Sequence, residues 1–376
     1  MSNILYHSSR PLNDNQNGFI EFDSIDFSIQ DNGRKLMKNS VYIEADIEVF
    51  KTTATAVTLL DKIGINNNIG FHTFFESFSV DAKGQNIQNI QHYPKYVNII
   101  NTASSNIGSV FTPASQAAGI QCTEEAGRYV IQPVSASHVN GATTSVKRPV
   151  QLCCKPKIVL NSMMGDSYSF QKNGAIRIAC NLARNGNVLY GGDCVATSSY
   201  TLKNVRLKYM TVIDDGKQGE ILMNSVVSVK QTINSEQANL SVTVPSKAVT
   251  GMVMTYISQA NETSLVQDSI KLENIPNLDE IVFLFSDSQS KFLSYSLTDK
   301  DDMLQKGIEA LSAGGVKCKV NSFQARNNQN VLHGLNFQST VDLTNQKFGV
   351  NLRSSSNKIS TNPRNVYMHF LTIISM

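Results

Sequence analysis

The sequence has no tryptophan and no excess of either charge. Its 376 residues include 33 Lys and Arg against 30 Asp and Glu, which gives a net charge of +3. Phosphate neutralisation needs several cations on one surface, so no specific nucleic-acid site is predicted. No stretch approaches the roughly 18 apolar residues of a membrane-spanning helix. The polar N-terminal segment also lacks an apolar core of signal-peptide length.

The residues that usually carry chemistry are scattered. None of the six cysteines has C-x-x-C spacing, and Cys153 and Cys154 are adjacent, which suits neither an ordinary disulfide nor a tetrahedral zinc site. Free thiols in a reducing compartment are therefore expected. The six histidines have no ligand spacing, and P-loop, G-x-S-x-G and H-E-x-x-H motifs are absent. No catalytic residue, metal site or cofactor is predicted, although carboxylates distant in sequence could still pair.

Alternation of apolar and polar residues is the dominant pattern. In residues 41–49, Val41, Ile43 and Ala45 begin an apolar face that alternates with polar residues, as in a strand with one solvated face. The same period recurs at residues 25–29, 176–182, 240–244 and 348–352. Residues 280–285 and 366–374 are apolar on both faces, which indicates strands covered on both sides. The pattern predicts a mostly antiparallel β protein.

Helical segments are few, and one lies in each half of the chain. Residues 93–103 begin with Tyr93-Pro94, and proline is favoured in the first turn of a helix. Residues 299–315 begin with acidic residues and end at paired glycines. Neither belongs to a repeating strand–helix–strand rhythm, so a parallel α/β sheet is not expected.

The strand pattern runs twice along the chain, which predicts two domains. The predicted divisions are an N-terminal arm at 1–18, a first domain at 19–213 with a long loop excursion at about 101–150, a linker at 214–226, and a second domain at 227–376.

The most specific stretch is INNNIGFHTFFESFSVDAKGQ, residues 65–85, together with the Tyr-Pro that follows it. This succession resembles the double jelly-roll major capsid proteins of tailless icosahedral DNA viruses of the adenovirus, tectivirus and polinton-like lineage. In that family an asparagine precedes an aromatic strand, a glycine turn follows, and a helix begins near a Tyr-Pro. The matching residues here are Asn67 or Asn68, then Phe71, Phe74, Phe75 and Phe78, then Gly84, then Tyr93 and Pro94.

The resemblance implies an all-β fold of two consecutive eight-stranded jelly rolls with short helices in the connecting loops. It gives the motif residues a structural role, because the aromatic run supplies apolar area between two packed sheets. It also implies a structural, non-enzymatic function. Three chains would form a hexon-like, pseudo-hexagonal capsomer that tiles an icosahedral shell.

The implied partners are copies of the chain, neighbouring capsomers, and vertex and minor capsid proteins. The implied location is the virion, after synthesis and assembly inside the host cell without secretion. An inner membrane is left open. We expect residues 101–150 and a loop after Leu332 to form tower or intersubunit contacts, and the arm either to lock neighbouring capsomers or to face the shell interior.

Other classes remain as alternatives. A vertex (penton) or minor capsid protein of the same virus class usually has one jelly roll, which the second set of strands disfavours. A receptor- or carbohydrate-binding β-sandwich often uses exposed tryptophan, which this chain lacks.

Overall fold

The computed structural model describes residues 4–52, 55–56, 61–66, 68–104, 117–118, 123–125, 128–130, 150–286, 292–318, 332–355 and 358–376. Within them, the strands of the first half are β1 Leu5–Ser9, β2 Ser24–Ile29, β3 Arg34–Leu36, β4 Tyr42–Thr52, β5 Thr55–Ala56, β6 Phe75–Ala82, β7 Gln85–Ile90, β8 Thr123–Glu125, β9 Arg128–Val130, β10 Val150–Cys154, β11 Met163–Gly165, β12 Tyr168–Ser169, β13 Ile176–Leu182 and β14 Ser199–Ile213. The strands of the second half are β15 Ile221–Ile233, β16 Gln237–Thr243, β17 Val249–Ser258, β18 Leu278–Ser286, β19 Phe292–Leu297, β20 His333–Val341, β21 Lys347–Ser354 and β22 Arg364–Ser375.

Two longer helices interrupt these strands, α1 Tyr93–Ser104 and α5 Lys300–Ala313. Four single-turn helices lie in connections: α2 Phe170–Asn173, α3 Asn185–Val188, α4 Gln259–Glu262 and α6 Lys358–Thr361. Both longer helices were predicted. The Asp299 side chain caps α5 by accepting hydrogen bonds from two backbone amides of the first turn, and Gly314 follows its last residue.

The first half forms two antiparallel sheets. Eight strands make its framework, in chain order β1, β2, β4, β6, β7, β10, β13 and β14. One sheet places the first, eighth, third and sixth of these side by side, as β1-β14-β4-β10. The other places the second, seventh, fourth and fifth side by side, as β2-β13-β6-β7. This is the strand order of a jelly roll.

The second half repeats that order. Its eight strands run from β15 to β22, and the first, eighth, third and sixth form the sheet β15-β22-β17-β20. The second, seventh, fourth and fifth form the sheet β16-β21-β18-β19. Each half also inserts one longer helix after its fifth strand. The predicted all-β fold of two consecutive eight-stranded jelly rolls is confirmed.

Side-chain burial follows the alternation read from the sequence. In β4, Ile43, Ala45 and Ile47 are fully buried, and the residues between them are partly exposed. The core of the first roll continues into the second half through residues such as Met223 and Leu371. A separate core lies between the two sheets of the second roll.

Two predictions about covered strands had different outcomes. β22 is buried on both faces as predicted. The prediction for residues 280–285 was wrong, because Val282 and Leu284 are only partly buried while Ile281 and Phe283 are fully buried. β18 therefore has one core face. β17 is also buried on both faces, which was not predicted from the sequence. It lies between β22 and β20 in its sheet.

The ends of the rolls differ from the sequence expectation. The proposed arm at 1–18 contains β1, whose residues pair with β14 from Leu5↔Thr211 to Ser9↔Leu207. β15 starts at Ile221, so residues 214–220 separate the last strand of one roll from the first strand of the other. The expected loop after Leu332 is instead β20. Most of the predicted excursion at 101–150 lies outside the described residues.

Candidate functional site

The asparagine segment before the aromatic run forms a hydrogen-bonded turn. Asn66 Oδ1 accepts from the backbone N–H groups of Asn68, at 2.9 Å, and of Ile69, at 3.1 Å. The Asn68 side chain donates to Asn98 Oδ1, at 2.5 Å, and to Thr102 Oγ1, at 2.9 Å, both on α1. Asn67 lies outside the described residues. Asn68 therefore ties the turn to the helix.

The four phenylalanines of the aromatic run are buried, but they do not all lie in one strand. Phe71, Phe74, Phe75 and Phe78 are all fully buried. The prediction that they share a strand was wrong for Phe71 and Phe74, which lie in a 3₁₀ helix, Gly70–Phe74, before β6 begins. The rings of Phe75 and Phe78 are 5.2 Å apart, and that of Phe78 is 4.6 Å from the Tyr93 ring.

The remaining motif residues form a turn and a helix start. Lys83 and Gly84 both have positive φ, at 54° and 70°, and join β6 to β7 as the two-residue turn that suits a hairpin. α1 begins at Tyr93 with Pro94 in its first turn. The Tyr93 hydroxyl is hydrogen-bonded to His72 Nδ1, at 2.8 Å, and accepts from the Lys157 backbone N–H, at 2.9 Å.

α1 lies between the two rolls and joins them. It belongs to the first roll by sequence, yet Asn98 Nδ2 donates to the Ile270 carbonyl of the second roll at 2.8 Å. The Lys95 ammonium donates to the neighbouring Ser269 carbonyl. Asn66 donates to the Asp268 carboxylate at 2.5 Å. Three consecutive residues of the second roll are thus held by the first.

Lys95 is the charge at the centre of this junction. It is 7% exposed, its ammonium lies 4.9 Å from the centre of the Tyr367 ring, and it borders a cavity of about 100 Å³ between the rolls. Burial lowers the pKa of Lys95 to about 8. The buried Thr73 hydroxyl, which borders the same cavity, has no hydrogen-bond partner among the described residues.

Glu262 balances the charge of Lys95 from the second roll. Its carboxylate accepts from the Tyr367 hydroxyl and from Asn365, and it lies 3.1 Å from the Lys230 ammonium. Burial alone would raise the pKa of Glu262, but Lys95, Tyr367 and Lys230 hold that pKa below its ordinary value. This cluster was not predicted from the sequence; the available signal was a single lysine among the apolar residues of α1.

Several histidines in the described part of the chain have packing or hydrogen-bonding roles. His369 is fully buried, with Nδ1 2.8 Å from the Ser228 hydroxyl, and burial lowers its pKa to about 3. His72 and His92 have separate partners: His72 bonds Tyr93, and His92 Nδ1 lies 3.1 Å from Glu76 Oε1. Burial lowers the pKa of His72, like that of His369, to about 3, so these two rings are neutral at pH 7 and act as packing residues.

The described residues contain no cluster that could bind a metal through three or more His, Cys, Asp or Glu side chains. Their helices include none long and apolar enough to span a bilayer. The described cysteines are free thiols, as predicted: Cys153, Cys154, Cys180, Cys194 and Cys318. Cys122 lies outside the described residues.

The first 22 residues expose several large apolar side chains. The exposed fractions are 81% for Tyr6, 66% for Leu12, 53% for Ile20 and 71% for Phe22. Phe22 has φ of 67°, a left-handed conformation that is unfavourable for a bulky residue. We name these four side chains the N-terminal apolar group. The four side chains are close in the sequence, and each leaves a large apolar area exposed to solvent.

No protein-family model and no curated protein sequence matches the chain. Its fold, however, is shared with solved viral capsid structures. PBCV-1 VP54, fitted into a reconstruction of the virophage Sputnik, superposes with a TM-score of 0.59 at 10% identity over 100% of this chain and 95% of that one. The Faustovirus major capsid protein gives 0.58 at 11% identity over 100% and 90%. The mavirus major capsid protein gives 0.50 at 10% identity over 99% and 90%.

These matches cover both rolls, so they agree with the strand order of each half. The chain therefore has the double jelly-roll fold, and its structural neighbours include major capsid proteins. The predicted resemblance to that class is confirmed at the level of fold.

Proposed function

We propose that this chain is the major capsid protein of an icosahedral virus. The observation that carries the proposal is the repetition of one strand order in two joined rolls. A chain with two similar lobes gives a trimer six similar lobes, and such a trimer can occupy positions with six neighbours in a closed shell. The likeness in fold to capsid proteins supports the same function.

The two rolls behave as one building block. α1 hydrogen-bonds both of them, and Lys95 and Glu262 place opposite charges across their contact. A fixed angle between the lobes of each chain is what a regular pseudo-hexagonal capsomer requires. Obligate interfaces between such chains should bury about 2,000–5,000 Å².

The N-terminal apolar group is a candidate contact between copies. At about 150–250 Å² for a whole aromatic side chain, Tyr6 and Phe22 together expose about 300 Å². Burying that area against another chain would contribute several kcal/mol, at about 25 cal/mol per Å². Holding Phe22 at a positive φ costs about 1–3 kcal/mol, a strain often found where a side chain has a function.

The proposed location is the virion, with assembly inside the host cell. The proposed partners are neighbouring capsomers, vertex proteins and minor capsid proteins. The motif residues from Asn68 to Pro94 are proposed to be structural. They hold α1 against the first roll, and α1 in turn sets the position of the second.

Native mass spectrometry of the purified chain tests the proposal. A trimer is expected; a pentamer would instead indicate a vertex protein, and a monomer at micromolar concentration would contradict both. Electron microscopy of the same sample should show six lobes around a three-fold axis.

A double variant tests the contact surface separately. Tyr6→Ser with Phe22→Ser should shift the trimer towards monomer while circular dichroism stays unchanged. Val266→Ser, at an exposed residue outside the group, is the matched control and should leave the trimer intact. If the double variant is still fully trimeric, the N-terminal apolar group is not part of the trimer interface. The proposed function would be unaffected by that result.

A further inference from the structure

The repeated strand order gives each roll a surface that corresponds to one on the other roll. Within the chain, the fifth strand of the first roll meets the first strand of the second. Gln88 of β7 donates to the Ser225 hydroxyl of β15 at 3.0 Å, and the two residues are only 4% and 7% exposed. The corresponding strands at the outer ends of the pair are β19, the fifth strand of the second roll, and β1, the first strand of the first roll. Among the described residues, no third roll covers either of them.

Tyr295 of β19 has the position that corresponds to Gln88. Each lies two residues before the end of the edge strand of its sheet, opposite a residue of the fourth strand: Gln88 pairs with Val80, and Tyr295 pairs with Phe283. Val80 and Phe283 are fully buried core residues, and directly opposed residues share one face of a sheet. Tyr295 is nevertheless 39% exposed. It therefore has the place of Gln88 without a neighbouring roll packed against it.

Tyr6 of β1 lies on the other strand of the repeated contact. It is opposite Met210, near the end of the eighth strand β14, and Ser225 is opposite Thr372, near the end of the eighth strand β22. Ser225 is covered within the chain, whereas Tyr6 is 81% exposed. Tyr6 and Tyr295 are thus exposed aromatic residues on the two strands that would meet if the contact between rolls were repeated between chains.

The longer helices are not placed alike in the two rolls. α1 reaches the next roll, where the Tyr96 ring lies 5.6 Å from the His369 ring of β22. α5 instead packs against β17 and β20 of its own roll. A repeated contact between chains would therefore be made by the strand edges without an equivalent of α1. For that reason we expect chains to separate from one another in urea before the rolls unfold.

We propose that copies of the chain associate head to tail, with Tyr295 in the second roll of one copy packed against β1, around Tyr6, in the first roll of the next. The inference rests on the proposed trimer and adds which two surfaces form it. A two-fold contact pairs identical surfaces, whereas a head-to-tail contact pairs different ones and closes into a ring when the rotation allows it. Both aromatic side chains would be buried in this interface, and buried tyrosines are among the residues that contribute most to affinity.

Cysteine cross-linking tests which surfaces meet and leaves both tyrosines in place. Ser8 and Ser294 are exposed residues of β1 and β19. Chains with Ser8→Cys and chains with Ser294→Cys carry different tags, are co-expressed, and are treated with a short bifunctional maleimide. We expect cross-links between the two variants, and none within either variant alone, because each alone offers one half of the contact.

Two controls accompany the cross-linking. Cys153 and Cys318 are partly exposed thiols, so the parent chain treated in the same way gives the background. Val266→Cys, at an exposed residue of the second roll outside β19, replaces Ser294→Cys in the matched control. Together with Ser8→Cys it should give no cross-link above that background.

A dissociation measurement supplies the second arm. Tyr295→Ser should raise the concentration at which the trimer dissociates by at least about tenfold, because it removes a buried aromatic side chain from the interface. Val266→Ser is the matched control and should dissociate like the parent chain. Circular dichroism of both variants should match that of the parent chain.

The outcomes separate this inference from the proposed function. A trimer without the cross-link between Ser8→Cys and Ser294→Cys would overturn the head-to-tail contact and leave the proposed function intact. The same holds for cross-links within the Ser8→Cys variant alone, which would show that like surfaces meet, and for a Tyr295→Ser trimer as stable as that of the parent. A chain that stays monomeric in native mass spectrometry would overturn both.

Discussion

Lys95 makes the stability of the roll junction depend on pH in a direction that the structure fixes. Burial lowers the pKa of Lys95 from its ordinary value of 10.5 to about 8. Between those two pH values the unfolded chain keeps this proton and the folded chain has lost it. Because the unfolded state then binds more protons, raising the pH through this window stabilises the folded state.

The expected magnitude follows from the size of the shift. A difference of about 2.5 pH units at about 1.4 kcal/mol per unit corresponds to about 3 kcal/mol. Thiols and phenols that are buried in the fold titrate in the same range once the chain unfolds, so the profile of the parent chain alone would mix several groups. The difference between the parent chain and Lys95→Met removes those shared contributions, since methionine keeps much of the apolar stem.

Urea unfolding at pH 7, 8, 9 and 10, followed by far-ultraviolet circular dichroism, measures this difference. The free energy of unfolding of the parent chain should rise relative to Lys95→Met, mostly above pH 8. Lys83→Met, at an exposed turn residue, provides the baseline. A difference between parent and Lys95→Met that stays constant from pH 7 to 10 would refute the argument that Lys95 is a desolvated charge at the junction.

Three further changes test the motif. Phe78→Ala should lower the free energy of unfolding by about 3–5 kcal/mol, seen in urea titrations, because it leaves a cavity beside Tyr93. Asn68→Ala should cost about 1–3 kcal/mol and speed amide exchange in α1 first, because Asn98 and Thr102 lose their partner; unchanged exchange in α1 would contradict this. Gly84→Ala should cost about 1 kcal/mol in thermal unfolding, since its φ is 70° and no atom lies within 4 Å of the added methyl; a larger loss would indicate a steric contact instead.

Local patterns in the sequence were sufficient to predict many of the strands and both longer helices. Alternation in β4 and the capping signals of α5 depend on neighbours within a few residues. The division into two strand-rich halves could be inferred because each half carries a succession of strands with one helix, whereas the jelly-roll strand order was implied only by the resemblance to capsid proteins. These features depend on short-range preferences that the final packing reinforces.

What the sequence could not reveal depends on contacts between distant parts of the chain. β1 reads LYHSS, which has no regular alternation, and becomes a strand because β14 offers an edge for pairing. Phe71 and Phe74 are three residues apart, so a strand would point their rings to opposite faces, whereas the 3₁₀ helix, with three residues per turn, lets both rings enter the core.

The buried lysine of α1 is a second case. Lys95 is unusual for a core position, and only the arrival of the second roll buries it against Tyr367 and Ser269. The same contact explains why α1 is buried along most of its length.

The placement of α1 also has a mechanical consequence. A closed icosahedral container bends by different amounts at different positions, so its tiles must meet at more than one angle. Because one helix hydrogen-bonds both lobes of each chain, the lobes cannot pivot independently without breaking those bonds. In the proposed shell, differences in curvature therefore require changes of angle at the interfaces between molecules, not within one chain.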